Sequence, residues 1–224
     1  MGLDLRPMGK PKTGYEKRFH QIINIIEGKE KQELSFFDKI KGKKIKTKDE
    51  LLKEWNNIQI SPLETIKAPK VGRDFDANAW LMKAYFKSDK SLSVDEFKKK
   101  HNGYYVISYA PEVDGVPVYN SPIEDENSFR GQFLKDCVDL IGEELVNEAW
   151  GTKFSGKETL DYGLRLMNIA DSIAEKEKLE YLKEQRDAPD SSPETIESKL
   201  HIVYSLAKWM TFYGKNGHGF EAYF

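Results

Sequence analysis

"SGKETLDYGLRLMNIADSIAEKEKLEYLKEQR", residues 155–186, carries one helical period from end to end. Ser155 followed three residues later by Glu158 is a capping box, in which each side chain satisfies an orphan backbone N–H of the other residue. The pattern predicts a helix over 156–186. Leu160, Leu164, Met167 and Ala174 make one apolar stripe along it, and Tyr162, Leu166, Ile169 and Ile173 make a second. Two stripes imply a central helix that touches other elements on two sides. Between them, Asp161, Arg165, Asn168 and Ser172 follow the same spacing and form a polar strip. Asp171 falls on the first apolar stripe and is expected to point inward, where a carboxylate needs a base or several donors to stay charged. Asp161, Arg165, Asn168, Asp171 and Ser172 are therefore the candidate wall of a cleft, with Asp171 expected to tie this helix to a neighbour.

Outward from this helix, the same Ser/Thr-x-x-Glu signal recurs at Thr13/Glu16, Thr47/Glu50, Ser93/Glu96 and Ser121/Glu124. Proline directly after Ser121 and Ser192 suits a first helical position, where its missing N–H costs nothing. These signals predict further helices near 14–27, 48–57, 77–88, 94–101, 122–150 with a break at Gly142, and 193–213. Strand signals are fewer. "GYYVISYA" (103–110) and "VPVYN" (116–120) flank Asp114-Gly115, a hairpin turn signal. A two-stranded hairpin alone is marginal in water, and the alternating "GLDLRP" at 2–7 is the natural third strand. The expectation is a single α+β domain over 1–224, helix-dominated, with a small, mostly antiparallel sheet built from the N-terminal strand and the 103–120 hairpin. A mobile Lys-rich loop is expected at 28–47.

Composition narrows the function classes. No run of 18 apolar residues occurs and the N-terminus lacks a basic-then-apolar leader, so neither a membrane span nor secretion is expected. The single cysteine, Cys137, excludes an intrachain disulfide framework and a Cys-rich zinc site. A cytoplasmic, reducing location follows as the expectation. The net charge of −2 hides an asymmetry: residues 1–100 hold 23 Lys/Arg against 15 Asp/Glu, and residues 101–224 hold 12 against 22. The basic half suits either internal complementarity or an anionic partner.

Each motif with catalytic or binding potential has an ordinary structural reading. "GLDLRPMGKPKTGYEKRF" (2–19) has glycine, lysine and threonine close together, but not the Gly-x4-Gly-Lys-Ser/Thr spacing that wraps phosphates. It leaves a helix start capped by Thr13 with Lys10 and Lys12 beside it, a candidate weak anion site. In "YGKNGHGFEAYF" (213–224), Gly214 is expected to end a helix in the left-handed conformation, with Phe220, Tyr223 and Phe224 folding back over apolar surface. His218 between its glycines is an acid or base candidate only if exposed. Cys137 shares an apolar helix face with Phe133, Val138 and Ile141 and reads as a small hydrophobe. His20, His101 and His201 lack metal-ligand spacing, and His201 reads as a surface residue beside Glu197, Ser205 and Lys208. The acids of "EELVNE" (143–148) and Glu158-x-x-Asp161 do not have the spacing of a magnesium-holding helix pair. The lysine run at 38–48 makes Lys41, Lys43, Lys44 and Lys46 a candidate polyanion loop, without the interleaved aromatics of a stacking platform. No cofactor and no metal are expected. The leading functional expectation is a non-enzymatic protein–protein interaction module. The alternatives are a hydrolase acting on a phosphorylated or nucleotide substrate, and weak, non-specific nucleic-acid binding through the basic N-terminal half.

Overall fold

A computed structural model describes residues 2–33, 40, 42, 44–111, 119–123 and 126–223. In chain order its elements are β1 (Asp4–Pro7), β2 (Lys10–Pro11), α1 (Glu16–Ile26), α2 (Lys48–Asn57), β3 (Gln59–Ile60), α3 (Pro62–Thr65), α4 (Phe75–Lys87), α5 (Val94–Lys100), β4 (Asn120–Ile123), β5 (Glu126–Phe129), α6 (Val138–Ile141), α7 (Glu143–Glu148), α8 (Gly156–Glu177), α9 (Ile196–Lys215) and β6 (Phe220–Tyr223). The class is helix-dominated α+β. The chain forms two compact units, one of Met1–Met8 with Pro62–Phe224 and the other of Gly9–Ser61.

In the larger unit, α8 and α9 lie against each other along most of their lengths. Their backbones approach closely because glycines stand at the crossing. A Cβ on Gly214 would lie 2.5 Å from the Leu160 backbone nitrogen, and one on Gly163 would lie 2.8 Å from Cβ of Met210. The buried side of α8 is accordingly Gly156, Thr159, Tyr162, Gly163, Leu166, Ala170 and Ala174. One of the two expected stripes is corrected at one position: Leu164 is 44 % exposed, while Leu160 meets Gly214 of α9, Met167 packs on the core and Ala174 is buried. The helix is also shorter than its period. It ends at Glu177, where Lys178 takes a left-handed conformation (φ 60°) and the Leu179 N–H bonds back to Ala174 O at 2.9 Å. The following 3₁₀ turn, Glu180–Lys183, then buries Leu182.

Helix α9 starts at Ile196, with the Thr195 hydroxyl accepting from the Ser198 N–H, and it runs through Gly214 to Lys215. The left-handed residue after it is Gly217 (φ 85°), not Gly214, which the helix crossing keeps within the helix. Among the other expected caps, Thr47/Glu50, Ser93/Glu96 and Ser155/Glu158 form complete reciprocal boxes. Thr13 does not cap α1. Tyr15 occupies that position without a side-chain cap, and Glu16 accepts from the Gly14 N–H instead.

The sheet has the order β4-β5-β1-β6, all antiparallel, with Leu5 opposite Phe129 on one side and Ala222 on the other. The N-terminal strand is therefore internal, and Leu3 and Leu5 are buried. The hairpin beside it is β4–β5 and not the expected 103–120 pair. Residues 103–110 form a turn, a single bridge from Tyr105 to Lys70, and a 3₁₀ turn at Ile107–Tyr109. Val106 and Ile107 are buried in succession, in different clusters, where a half-exposed strand would alternate them. The expected turn Asp114-Gly115 and residues 116–118 lie outside the described residues. The helix expected from 122 begins only after the sheet: Pro122 sits in β4, an edge strand, where its missing N–H is tolerated. A 3₁₀ segment (Gly131–Cys137), α6 and α7 follow, and Gly142 makes the expected break (φ 83°).

The main core of this unit joins Leu3, Leu5 and Phe129 of the sheet to Tyr162, Leu166, Trp209, Tyr213 and Phe220. Its polar atoms are paired: Tyr162 OH donates to Leu145 O at 2.7 Å, Trp209 Nε1–H to Asn127 O at 3.1 Å, and Asn127 Nδ2–H to Tyr213 OH at 2.9 Å. A satellite cluster of Val71, Ala77, Leu81 and Val106 lies under α4, flanked by Trp80, Phe97 and Tyr104. In the smaller unit, α1 buries Phe19, Ile22 and Ile23, and Phe19 stacks on Trp55 of α2 at 5.2 Å between centroids. Arg18 forks onto both carboxylate oxygens of Glu54, at 2.9 and 2.8 Å, and β2 pairs with β3.

Candidate functional site

The residues expected to wall a cleft lie on the outside of α8 and are engaged with one another and with nearby elements. Arg165 bonds Asp161 at 3.1 Å and Glu148 at 2.6 Å, and Lys153 stands 3.2 Å from the same Glu148 oxygen. The two cations hold the Glu148 carboxyl below its ordinary range, the Arg165 hydrogen bond most of all. Asn168 and Ser172 are exposed. Asp171 is half-exposed rather than buried: its carboxylate accepts two bonds from Lys183 Nζ at 2.8 Å and one from Tyr204 OH at 3.0 Å. It ties α8 to the 3₁₀ turn and to α9. By helical spacing it lies on the same side of α8 as the exposed Leu164, seven residues earlier. No acids converge along this strip: Asp161 and Asp171 each face a base.

Several of the remaining candidates among the described residues are engaged or buried. Lys12 donates to Asn57 O at 2.7 Å, Lys10 lies in β2, and Thr13 is exposed before the true cap. In the lysine run, Lys46 pairs with Glu54 at 2.9 Å, and Gln32 holds its backbone N–H and C=O at 2.8 and 3.0 Å. Lys44 is exposed, while Lys41 and Lys43 lie outside the described residues. His218 is fully buried. Its Nδ1 lies 2.7 Å from Met8 O and its Nε2 2.7 Å from Thr65 Oγ1, so Nδ1 carries the proton toward the carbonyl and Nε2 accepts from the hydroxyl. His201 is buried too, against the expectation of a surface residue. Its ring lies 3.0 Å from Tyr119 OH and 3.2 Å from Gln185 O, and burial pushes its pKa down. Cys137 is buried, and desolvation raises its thiol to about 12, far from a reactive thiolate. Among the described residues, no three His, Cys, Asp or Glu side chains are placed to hold a metal ion. Among the described residues, no helix is long and apolar enough to cross a membrane.

What stands open is α4. Ala77 and Leu81 are its core residues, and Trp80 stacks nearly parallel on Tyr104 at 5.3 Å. On α5, Phe97 meets Tyr85 edge-on at 5.4 Å. The opposite face of α4 reads Phe75, Ala79, Met82, Phe86, a spacing that places all four on one line. Phe75 is 84 % exposed and Phe86 65 %. Beside Met82 a groove of about 410 Å³ is lined by Val71, Gly72, Asn78, Leu81, Met82, Lys98 and Asn102. Gly72 suits the turn there: its φ of 86° would strain a residue with a side chain, and a Cβ would displace the Asn102 side chain, 2.2 Å away at Oδ1. Asn78 accepts from the Gly72 N–H at 2.8 Å, fixing the groove floor to α4. The sequence pattern predicts this helix at 77–88 without marking a contact on it. Its signal was apolar residues on both faces, more than one buried side requires.

Searches of family models, curated proteins and solved structures find nothing that matches this chain.

Proposed function

We propose that this chain is a non-enzymatic protein–protein interaction module and that the outer face of α4 is its contact surface. The observation that supports the reading is the pair Phe75 and Phe86, exposed on a continuous apolar line of a helix whose other side is already anchored in a core. Aromatic side chains in water forgo about 2–3 kcal/mol each of burial free energy, and contiguous exposed apolar surface on a folded domain marks contact sites. Phenylalanine and methionine are also enriched at the centres of interfaces. The cytoplasm is the compartment proposed for the module, a reading supported by its sole cysteine being a buried free thiol.

Site-specific photo-crosslinking tests the reading. Benzoyl-phenylalanine replacing Phe86 should capture a discrete partner in cells, and the same group replacing the exposed Lys157 should not. The adduct should vanish when Phe75→Glu and Met82→Glu are added, while circular dichroism shows the fold retained. Equal capture at both positions, or none at Phe86, would refute the assignment of this face.

A further inference from the structure

The apolar line of α4 and the groove beside it share margins in which lysines outnumber acids, and we propose that their occupant is an acidic amphipathic helix of a partner protein. The inference rests on the interaction reading above and adds the chemistry of the partner. Lys98 is the only ionisable residue among those lining the groove. On the far margin of the apolar line, helical spacing places Lys83 and Lys87 on the side away from Asn78, both exposed. Lys90 completes the rim, its Nζ 6.0 Å from the Phe86 ring centroid. Helical spacing places one acid, the exposed Asp76, on the same margin as Lys83 and Lys87, which together outnumber it. The carboxylate that precedes it, Asp74, is committed to Arg73 Nε at 2.8 Å and to the Lys70 N–H at 2.7 Å.

Shape agrees with charge. The line Phe75-Ala79-Met82-Phe86 spans nearly all of the 13 residues of α4, about 20 Å at 1.5 Å per residue. Four turns of a second helix cover that length, with anchors at i, i+4, i+7 and i+11 entering between Phe75, Met82 and Phe86 and into the groove floor of Val71 and Leu81. Carboxylates flanking those anchors would meet Lys98 on one margin and Lys83, Lys87 and Lys90 on the other. A second copy of this chain presenting the same face would instead bring these lysines against their own counterparts across a two-fold axis, which opposes self-pairing.

Fluorescence anisotropy with two synthetic helices decides the matter. Each is about 14 residues long, with leucine at i, i+4, i+7 and i+11. One carries glutamate on both flanks and the other lysine. The full chain should bind the glutamate peptide saturably and at least about tenfold more tightly than the lysine peptide. The variant carrying Lys83→Glu, Lys87→Glu and Lys98→Glu, all solvent-exposed positions, should reverse that order. Equal binding of the two peptides, no saturable binding, or a preference unchanged in the variant would overturn the partner's chemistry. If the Phe86 crosslink persists in any of those cases, only the acidic helix falls; if it is lost as well, the interaction reading falls with it. Concentration-dependent dimerisation abolished by Phe86→Glu would show a second copy as the occupant and would overturn the proposal.

Discussion

Gly214 is the penultimate residue of α9 and faces the Leu160 backbone. In the sequence it stands next to the glycine-rich tail and resembles a helix terminator. In the fold it is a contact residue, and what matters is the hydrogen where any other residue has a carbon. Gly214→Ala forces a Cβ to within 2.5 Å of Leu160 N and 2.7 Å of its Cα, both backbone atoms that cannot swing aside. The substitution should destabilise by about 2–3 kcal/mol, the cost of overpacking a fixed interface. Gly151→Ala is the control, since its Cβ would meet only Glu148 O at 3.4 Å. Urea melts of the two variants should separate them clearly, and equal stabilities would mean that the helices part without cost. His201 teaches the same lesson with the opposite chemistry. Its neighbours along the helix, Glu197, Ser205 and Lys208, look like a solvated face, yet Tyr119 and the chain at Gln185 cover it and satisfy both ring nitrogens. Those covering residues are 82 and 16 positions away, beyond the reach of local pattern.

At the scale of elements, β1 gains its importance from position. It pairs with β5 on one side and β6 on the other, so removing residues 2–7 would strip hydrogen-bond partners from both and uncover Phe129 and Phe220. Deletion of 2–7 should lower the melting temperature by more than about 5 °C, read by circular dichroism; an unchanged midpoint would contradict the internal placement. The alternation Leu3, Asp4, Leu5, Arg6 announced the strand and the direction of its buried face. It did not announce the partners, because β4–β5 arises from a stretch whose Ser-Pro start and Glu124 suggest a helix N-terminus. Ser121 and Pro122 lie in β4 instead, while Glu124 is outside the described residues. Helix α4 shows the limit for the candidate site. Its existence was legible from its period, but Ala77, Trp80 and Leu81 on one side and Phe75, Met82 and Phe86 on the other look alike in sequence. Only α5 and Val106, which cover one side, make the other a surface.

For the molecule as a whole, acid stability is where charge and architecture meet. Glu54 is held at about 2, below its ordinary 4.5, chiefly by the Arg18 hydrogen bond, with a further bond from Lys46. A carboxylate with a depressed folded pKa contributes stability above its unfolded value and loses it as pH falls toward the folded one. The unit Gly9–Ser61 should therefore weaken between pH 4.5 and about 2. In Arg18→Ala, whose Glu54 titrates nearer its ordinary value, amide cross-peaks of α1 and α2 should be less protected at pH 7 and less sensitive to acid over that interval; identical acid profiles would exclude the pair as a stabilising contact. Helix dominance, the starts of α2, α5 and α8, the strand at the N-terminus and the inert setting of Cys137 were all determined by the sequence alone, because caps, periodicity and alternation act within a few residues. The tertiary structure decided which residues of the α8 stripes are buried, where α8 and α9 end, the partners of β1, the burial of His201 and the open face of α4. Each of these depends on what approaches from far along the chain: a glycine is a terminator or a contact, and an apolar face is core or surface, according to whether another backbone arrives to cover it.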